Sequence, residues 1–190
     1  ACLRGQEFTD CSYVWPRAFS DLADEYEKRY GLNQAHLWRI AEVNFGNARR
    51  NPNAQTRGWT FNERSFTDDP DANPVVERRT RKMDCGQVTD GAAVLFLASE
   101  RRAADYARRR GIALDSLPRI TGWGHRSAPI SYARKIADSA GADLVFPQVR
   151  RAILDARARA GITDLSQISA VETHDCFAMT EYMAIDHLGL

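Results

Sequence analysis

The chain has 190 residues, and its 26 lysine and arginine residues against 25 aspartate and glutamate residues give a formal net charge of +1. This near-neutral charge argues against nucleic acid as the main partner, because domains that bind nucleic acid usually carry a basic surface. A hydrophobic content of 44% excludes global disorder. The longest apolar run, Ala92 to Ala98, is far shorter than the ~20 residues that span a bilayer, so no membrane partner is expected.

The four cysteines lie far apart and form no Cys-x-x-Cys pair. Scattered cysteines are typical of a reducing compartment, where they are buried, catalytic or incidental rather than paired. No charged-then-apolar leader opens the sequence. We therefore expect unpaired thiols and a cytoplasmic protein. The cysteines are Cys2, Cys11, Cys85 and Cys176.

Two helices are predicted near the start of the chain. Pro16 suits the first turn of a helix that ends at Gly31. Asn33 is a suitable N-cap for a second helix that runs to about Asn47. The apolar stripes of the two helices comprise Phe19, Leu22, Ala23 and Tyr26 in the first, and Leu37, Ile40, Ala41 and Phe45 in the second.

Residues 51–73 contain many Asn, Asp, Pro and Thr residues and have no hydrophobic period, which predicts an irregular surface excursion of the kind that often carries binding function.

After a basic run and a turn, predicted strands and helices alternate, and the boundary between the two halves of the chain lies near residues 100–118. This alternation predicts an α/β fold in which helices cover a mainly parallel sheet. The predicted strands are 92–97, 119–123 and 168–173, and the predicted helices are 99–110, 131–139, 146–160 and 177–188.

The tetrad His174-Asp175-Cys176-Phe177 lies where a predicted strand ends and a helix begins, the usual ligand-facing edge of an α/β sheet. Free N–H groups and a partial positive charge at a helix N-terminus stabilise a thiolate, and cysteines so placed have pKa values in the range of roughly 3.5–7.5. Cys176 could then exchange a proton near neutral pH, and His174 could donate a hydrogen bond to an oxyanion. The alternative is a buried structural cysteine beside a histidine that the backbone satisfies.

Three other groups of residues are weaker candidates. A zinc site of His125, His174, Cys176 and His187 matches no paired-ligand spacing, so no metal is expected. Cys85, in the segment MDCGQVTDGAA, could belong to a catalytic loop, although a tight entry turn into the following strand is the simpler interpretation. The basic runs 78–82 and 108–110 fit solvated faces. The first could instead meet the phosphates of a nucleotide-containing ligand.

Four blocks of the sequence together resemble thiolases of the sterol-carrier-protein type. VETHDCFAMTEYMAIDHLGL is similar to their HDCF region, and MDCGQVTDGAAVLFLAS to the loop and strand that end the first half-domain. NFGNARRNPNAQ resembles part of the loop domain, and GWGHRSAP the opening strand of the second half. The resemblance covers roughly residues 17–190. It implies part of a layered thiolase-like fold, with residues 1–106 as loop domain and end of the N-terminal half, and 107–190 as start of the C-terminal half.

The resemblance also implies a function. Thiolases are acyl-CoA acyltransferases, including acetyl-CoA acetyltransferase, that form or break carbon–carbon bonds of CoA thioesters by Claisen chemistry in lipid or sterol metabolism. The resemblance assigns proton transfer to Cys176 and oxyanion binding to His174. It implies acyl-CoA and CoA as ligands, no permanently bound cofactor, and a homodimer. Substrate contacts are assigned to Phe177, Gln87, Asp90 and Gly91.

The chain departs from the family pattern in two segments. The segment in which a nucleophilic cysteine follows the third strand is absent, and Cys2, Cys11 and Cys85 lie in other contexts. The glycine-rich GHP segment, which supplies another histidine, is absent as well. We therefore expect a fragment from the middle of a thiolase that has no turnover by itself. Two alternatives stay open: a non-catalytic thiolase-like subunit that binds acyl-CoA or a partner protein, and a thiolase-like carbon–carbon lyase.

Overall fold

The computed structural model describes residues 6–190, and 51% of the structure is helical. Its α-helices are α1 (Val14–Tyr30), α2 (Gln34–Arg50), α3 (Glu100–Arg110), α4 (Tyr132–Asp138), α5 (Pro147–Ala160) and α6 (Ala178–Leu188). Strands β1 (Val75–Glu77) and β2 (Thr80–Arg81) form an antiparallel pair. Short 3-10 helices cover Gln55–Gly58, Glu63–Phe66, Lys82–Asp84, Leu114–Ser116 and Leu165–Gln167. No helix in the described part of the chain is both long and apolar enough to cross a membrane.

The helices predicted from the sequence are confirmed, with boundaries that differ by at most three residues. The side chain of Asn33 accepts a hydrogen bond of 3.0 Å from the Ala35 amide and so caps α2 as predicted. Helix α5 ends at Gly161, which adopts the left-handed conformation with φ 70°. These boundaries agree because capping signals act within a few residues of where they stand.

One hydrophobic core joins helices from both ends of the chain. The phenol of Tyr26 on α1 donates a hydrogen bond of 2.5 Å to Asp186 on α6, and the Arg29 guanidinium donates to the Ser139 carbonyl after α4 at 2.8 Å. These contacts hold the end of α6 and the residue that follows α4 against α1. The buried members of the core are Leu22, Ala23, Tyr26, Leu37, Ile40, Val145, Ala178, Met179 and Met183.

The excursion over residues 51–73 lacks long regular elements, as predicted, but it is anchored on α2. The ring of Phe45 on α2 stacks on Trp59 at 5.6 Å and contacts the ring of Phe66 at 6.4 Å. The Arg49 guanidinium lies 3.7 Å above the Phe61 ring. Aromatic contacts of this kind add to area burial, so the excursion is fixed along the helix that faces α6.

The predicted mainly parallel sheet is not confirmed. Residues 92–97, 119–123 and 168–173 have no regular secondary structure, and the only sheet among residues 6–190 is the β1–β2 pair. The prediction that 92–97 is a buried strand is wrong in this structure, where the side chains of Leu95 and Phe96 are 87% and 95% exposed. An apolar run becomes a buried strand only where other strands and a covering layer supply partners, and residues 6–190 supply none here.

Candidate active site

Cys176 lies beside the N-terminus of α6, as the sequence predicts. Its thiol is half-buried, and Sγ lies 3.7 Å from Oγ1 of Thr180, one turn into the helix. Phe177 occupies the N-cap position in an extended conformation, and its side chain caps no backbone N–H group. The thiol therefore lies at the entry of α6, with the hydroxyl of Thr180 from its first turn as a polar neighbour.

The two sequence blocks that contain Cys85 and Cys176 meet in space. Cys85 and Phe177 form an isolated antiparallel bridge, and the Gly86 amide donates a hydrogen bond of 2.8 Å to the Cys176 carbonyl. Burial, with smaller contributions from Asp84 and Cys176, raises the pKa of the Cys85 thiol to about 12. Cys85 is therefore protonated near neutral pH, which supports its interpretation as part of a structural turn.

The Gly86 contact leads to a prediction for the loop. A Cβ atom at this position would lie 3.1 Å from the Cys176 carbonyl oxygen, whereas a Cβ atom on Gly91 would meet no atom within 4 Å. We expect Gly86→Ala in the full-length protein to displace the Cys176 backbone and to cost about 1–3 kcal/mol of stability. Gly91→Ala should have no such effect. Urea unfolding and alkylation of Cys176 would measure both variants, and equal behaviour would contradict the contact.

Asp175 belongs to a polar cluster that sequence reasoning did not identify. The Asn44 amide on α2 donates hydrogen bonds to Asp175 Oδ2 and, at 2.7 Å, to Glu181 Oε2. Oδ1 of Asp175 is buried and has no hydrogen-bond partner within residues 6–190. Burial, followed by the charge of Glu181, raises the pKa of Asp175 to about 6. The residue next to the candidate thiol is thus held by a neutral donor from another helix.

A signal for Asn44 was present in the sequence. The residue stands on the apolar stripe of α2, one turn after Ile40 and Ala41 and next to Phe45. A polar side chain on a buried helix face needs hydrogen-bond partners, because its burial without them costs free energy. The similar signal for Thr180 is its spacing of four residues from Cys176, which places it in the first turn of the predicted helix that follows the thiol.

The structure brings some predicted substrate-contact residues to this place and not others. Gln87 lines a cavity of about 150 Å³ together with Asn44, Cys85 and Asp175. Asp90 and Gly91 lie outside this cavity in an exposed segment, where the Asp90 carbonyl accepts a hydrogen bond from Gln55 at 3.1 Å. Of Gln87, Asp90 and Gly91, only Gln87 lines the same cavity as Asp175.

The two remaining residues of the tetrad face different surroundings. His174 is exposed, so its ring is accessible to a substrate. The Phe177 ring instead stacks on Phe19 of α1, with 4.2 Å between the ring centroids. Phe177 therefore anchors the start of α6 to the core. The two polar residues of the tetrad, His174 and Asp175, come before Cys176.

His187 has a structural role and does not join His174 or Cys176. Its side chain is 1% exposed, Nε2 accepts a hydrogen bond from the Phe146 amide at 3.2 Å, and Nδ1 lies 2.6 Å from the Met183 carbonyl. Both ring nitrogens are occupied by the backbone. Within residues 6–190, no three His, Cys, Asp or Glu side chains are grouped so that they could hold a metal ion.

The first two arginines of the basic run 78–82 form ion pairs with α1. Arg78 forms an ion pair of 2.9 Å with Asp21, and Arg79 pairs with Asp24 at 2.9 Å and Glu27 at 2.5 Å. The alternative in which this run binds the phosphates of a ligand is weakened for Arg78 and Arg79, because these two arginines already have anionic partners.

An apolar cavity of about 350 Å³ lies on another side of α6. Thr180, the hydrogen-bond partner of Cys176, is one of its lining residues, and Lys135 is another. The cavity is mostly apolar with few polar groups, which is the usual character of a small-molecule site. Its apolar lining includes Phe19, Leu22, Phe146, Val149 and Met183.

Comparison with known proteins identifies relatives over most of the chain. An acetyl-CoA acetyltransferase of Methanothermobacter thermautotrophicus is 26% identical over 176 residues, which are 93% of this chain and 41% of the relative. Sterol carrier protein 2 of Oryctolagus cuniculus is 26% identical over 178 residues, which are 93% of this chain and 30% of the relative. A non-specific lipid-transfer protein-like 2 of Caenorhabditis elegans is 23% identical over 178 residues, covering 90% of this chain and 39% of the relative.

The chain therefore spans less than half the length of these relatives. No family model matches the chain, and no solved structure gives a significant match. The relatives confirm the resemblance to the thiolase superfamily and to its sterol-carrier-protein type.

Proposed function

We propose that this chain is part of an acyl-CoA thiolase in which Cys176 moves the substrate proton. The observation that carries the proposal is the half-buried Cys176 thiol beside the N-terminus of α6, 3.7 Å from the Thr180 hydroxyl. Relatives of the chain named acetyl-CoA acetyltransferase support the same chemistry. Proton transfer to and from a reacting carbon is chemistry that a positioned cysteine side chain can perform.

The reaction in the synthetic direction begins when the Cys176 thiolate takes a proton from the α-carbon of one CoA thioester. The resulting enolate attacks the carbonyl carbon of an acyl group held as a second thioester. A carbon–carbon bond forms, and the second thioester's sulfur leaves with the electron pair of its bond to that carbon. In cleavage the steps reverse, and the Cys176 thiol returns its proton to the α-carbon as the carbon–carbon bond breaks.

His174 is the proposed donor to the thioester oxygen that becomes negatively charged. Its ring is exposed and lies two residues before Cys176, so it is accessible to the same substrate. A hydrogen bond that strengthens as charge develops lowers the barrier, and the loss of one such donor typically costs about 3–4 kcal/mol. The acyl-carrying thiol is expected from the remainder of the full-length protein, because the pKa of Cys85 is raised to about 12.

Organisation and assembly are part of the same proposal. Residues 1–106 correspond to the loop domain and the end of the N-terminal half, and residues 107–190 to the start of the C-terminal half. A homodimer follows from the resemblance, and sedimentation of the full-length protein would measure it. A role in lipid or sterol metabolism agrees with the name sterol carrier protein 2 among the relatives.

A second candidate function is binding of an acyl chain or lipid without catalysis. The cavity of about 350 Å³ favours it, because its lining is mainly apolar and reaches Thr180 on α6. In this case the thiol would be a structural neighbour of the bound chain. Binding of a CoA thioester would then occur without any change in its covalent bonds.

An assay of the full-length protein distinguishes these functions. The protein would be incubated with a 3-ketoacyl-CoA and free CoA, and the products separated by mass. We expect two shorter CoA thioesters whose formation depends on free CoA. A 3-ketoacyl-CoA that binds but stays intact would contradict thiolysis and support the second candidate.

A further inference from the structure

We propose that Asn44 is a positioning residue for Cys176. This proposal rests on the proposed function only because it takes Cys176 as the reactive thiol. The Asn44 amide lies on α2 and donates to Asp175, the residue directly before Cys176, and to Glu181 in the first turns of α6. One side chain therefore ties the loop that carries the thiol to two helices.

The chemistry of the carboxamide fits this arrangement. Its NH₂ group has two N–H donors, and the two carboxylates each offer an acceptor. Asp175 and Glu181 repel each other when both are ionised, so a neutral donor between them stabilises their close approach. Alanine at position 44 would offer no donor, and ionised aspartate would add a third negative charge.

The loop is held from its other side by a backbone contact. The Gly86 amide donates a hydrogen bond of 2.8 Å to the Cys176 carbonyl, while Asn44 holds the neighbouring Asp175 side chain. These two attachments limit the freedom of the peptide that carries the thiol. They keep Sγ near the Thr180 hydroxyl at the start of α6.

The test compares variants of the full-length protein. Asn44→Ala removes both donors, and Asn47→Ala is the matched control. Asn47 is exposed one turn further along α2, and in the described part of the chain its side chain bonds only Arg50. The readout is the alkylation rate of Cys176 by iodoacetamide, resolved by peptide mass, with Cys11 as internal reference. We expect N44A to raise the rate at least about tenfold, because each of the two lost hydrogen bonds to a carboxylate contributes about this factor or more. N47A should leave it unchanged.

A pH profile separates positioning from a merely structural role. Asn44→Asp should release the loop at least as much as N44A at about pH 8, because its carboxylate adds a negative charge. As the pH falls towards the ordinary carboxyl pKa of about 3.9, a growing fraction of this carboxyl is protonated, and the protonated form can donate one hydrogen bond and restore part of the attachment. The excess alkylation of Cys176 should therefore shrink as the pH falls in N44D and not in N44A. The groups that face this cluster are Asp175, Glu181, His174, Asp84 and Cys85.

The outcomes separate this proposal from the proposed function. A raised Cys176 rate in N44A, with normal N47A, supports positioning even if the wild-type protein shows no thiolysis. Equal Cys176 rates in N44A and wild type would overturn it, whatever the thiolysis result. If N44A does not fold, Glu181→Ala removes one acceptor, and we expect a smaller increase in the same direction. An unchanged rate in E181A would then contradict the proposal.

Discussion

Replacement of Cys176 by alanine is expected to lower the thiolysis rate of the full-length protein by a factor of about 10²–10⁴, the usual contribution of a general acid–base residue. The effect should appear in kcat, because in the proposed reaction the thiol exchanges a proton with the substrate carbon and does not bind the CoA carrier. KM should change much less. Steady-state kinetics with a 3-ketoacyl-CoA and free CoA would measure both constants.

Cys11→Ala is the matched control for the loss of a thiol. Cys11 lies in the turn before α1, and its thiol donates a hydrogen bond of 3.1 Å to the Phe8 carbonyl. This variant should keep the wild-type rate within about twofold, because a substitution near the surface usually changes the free energy of unfolding by at most ~0.5 kcal/mol. A C176A protein that kept its rate, or a C11A protein that lost as much, would contradict proton transfer by Cys176.

Replacement of His187 by leucine is expected to destabilise α6. The imidazole is buried and bonds the Phe146 amide at 3.2 Å, and a leucine side chain would leave that amide unpaired. Each buried polar group left without a partner costs about 1–3 kcal/mol. Amide hydrogen exchange in Ala178–Leu188 of the full-length protein would report the change as faster opening.

The His187 variant should also alter the pH dependence of this opening. Burial lowers the pKa of His187, so below the ordinary value of about 6.5 the unfolded state binds more protons than the folded state. Stability rises with pH wherever the unfolded state binds more protons. The wild-type protein should therefore lose stability as the pH falls through about 6.5, and His187→Leu should remove this dependence.

Exposed His125 offers the control for the histidine prediction. His125→Gln should keep the wild-type exchange rates and their pH dependence, since its ring is in contact with solvent in the folded chain. If H187L and wild type had the same pH slope in α6, protonation of His187 would not be linked to folding of this helix.

Elements whose signals are local were predictable from the sequence. Asn33 starts α2 through its own side chain, and Gly161 ends α5 through its own backbone conformation. The position of Cys176 at the start of α6 is of the same kind, because it depends on a helix that begins two residues later. Each of these features depends on residues within one or two turns.

Features that depend on distant partners were not predictable in the same way. The apolar character of residues 92–97 indicated burial, but burial requires neighbours that the segment cannot specify, and Phe96 is 95% exposed. The basic character of Arg79 indicated a free charge, yet Asp24 and Glu27 on α1 neutralise it. Asn44 contacts Asp175 across 131 residues of sequence.

His187 shows how the same residue type serves different roles. Its spacing from Cys176 gave a weak zinc pattern, whereas its surroundings satisfy both ring nitrogens with backbone groups. The apolar positions around it on α6, including Met183, indicate a core helix. A histidine on such a face is expected to find backbone partners, because an unpaired buried imidazole would be costly.

The most direct test of proton transfer by Cys176 is hydrogen exchange at the substrate carbon. The full-length protein would be incubated with acetyl-CoA in heavy water, and deuterium in the acetyl group measured by mass spectrometry. We expect the wild-type and C11A proteins to incorporate deuterium and the C176A protein to show only the uncatalysed rate. Incorporation by C176A at the wild-type rate would contradict the assignment, because another group would then remove the proton.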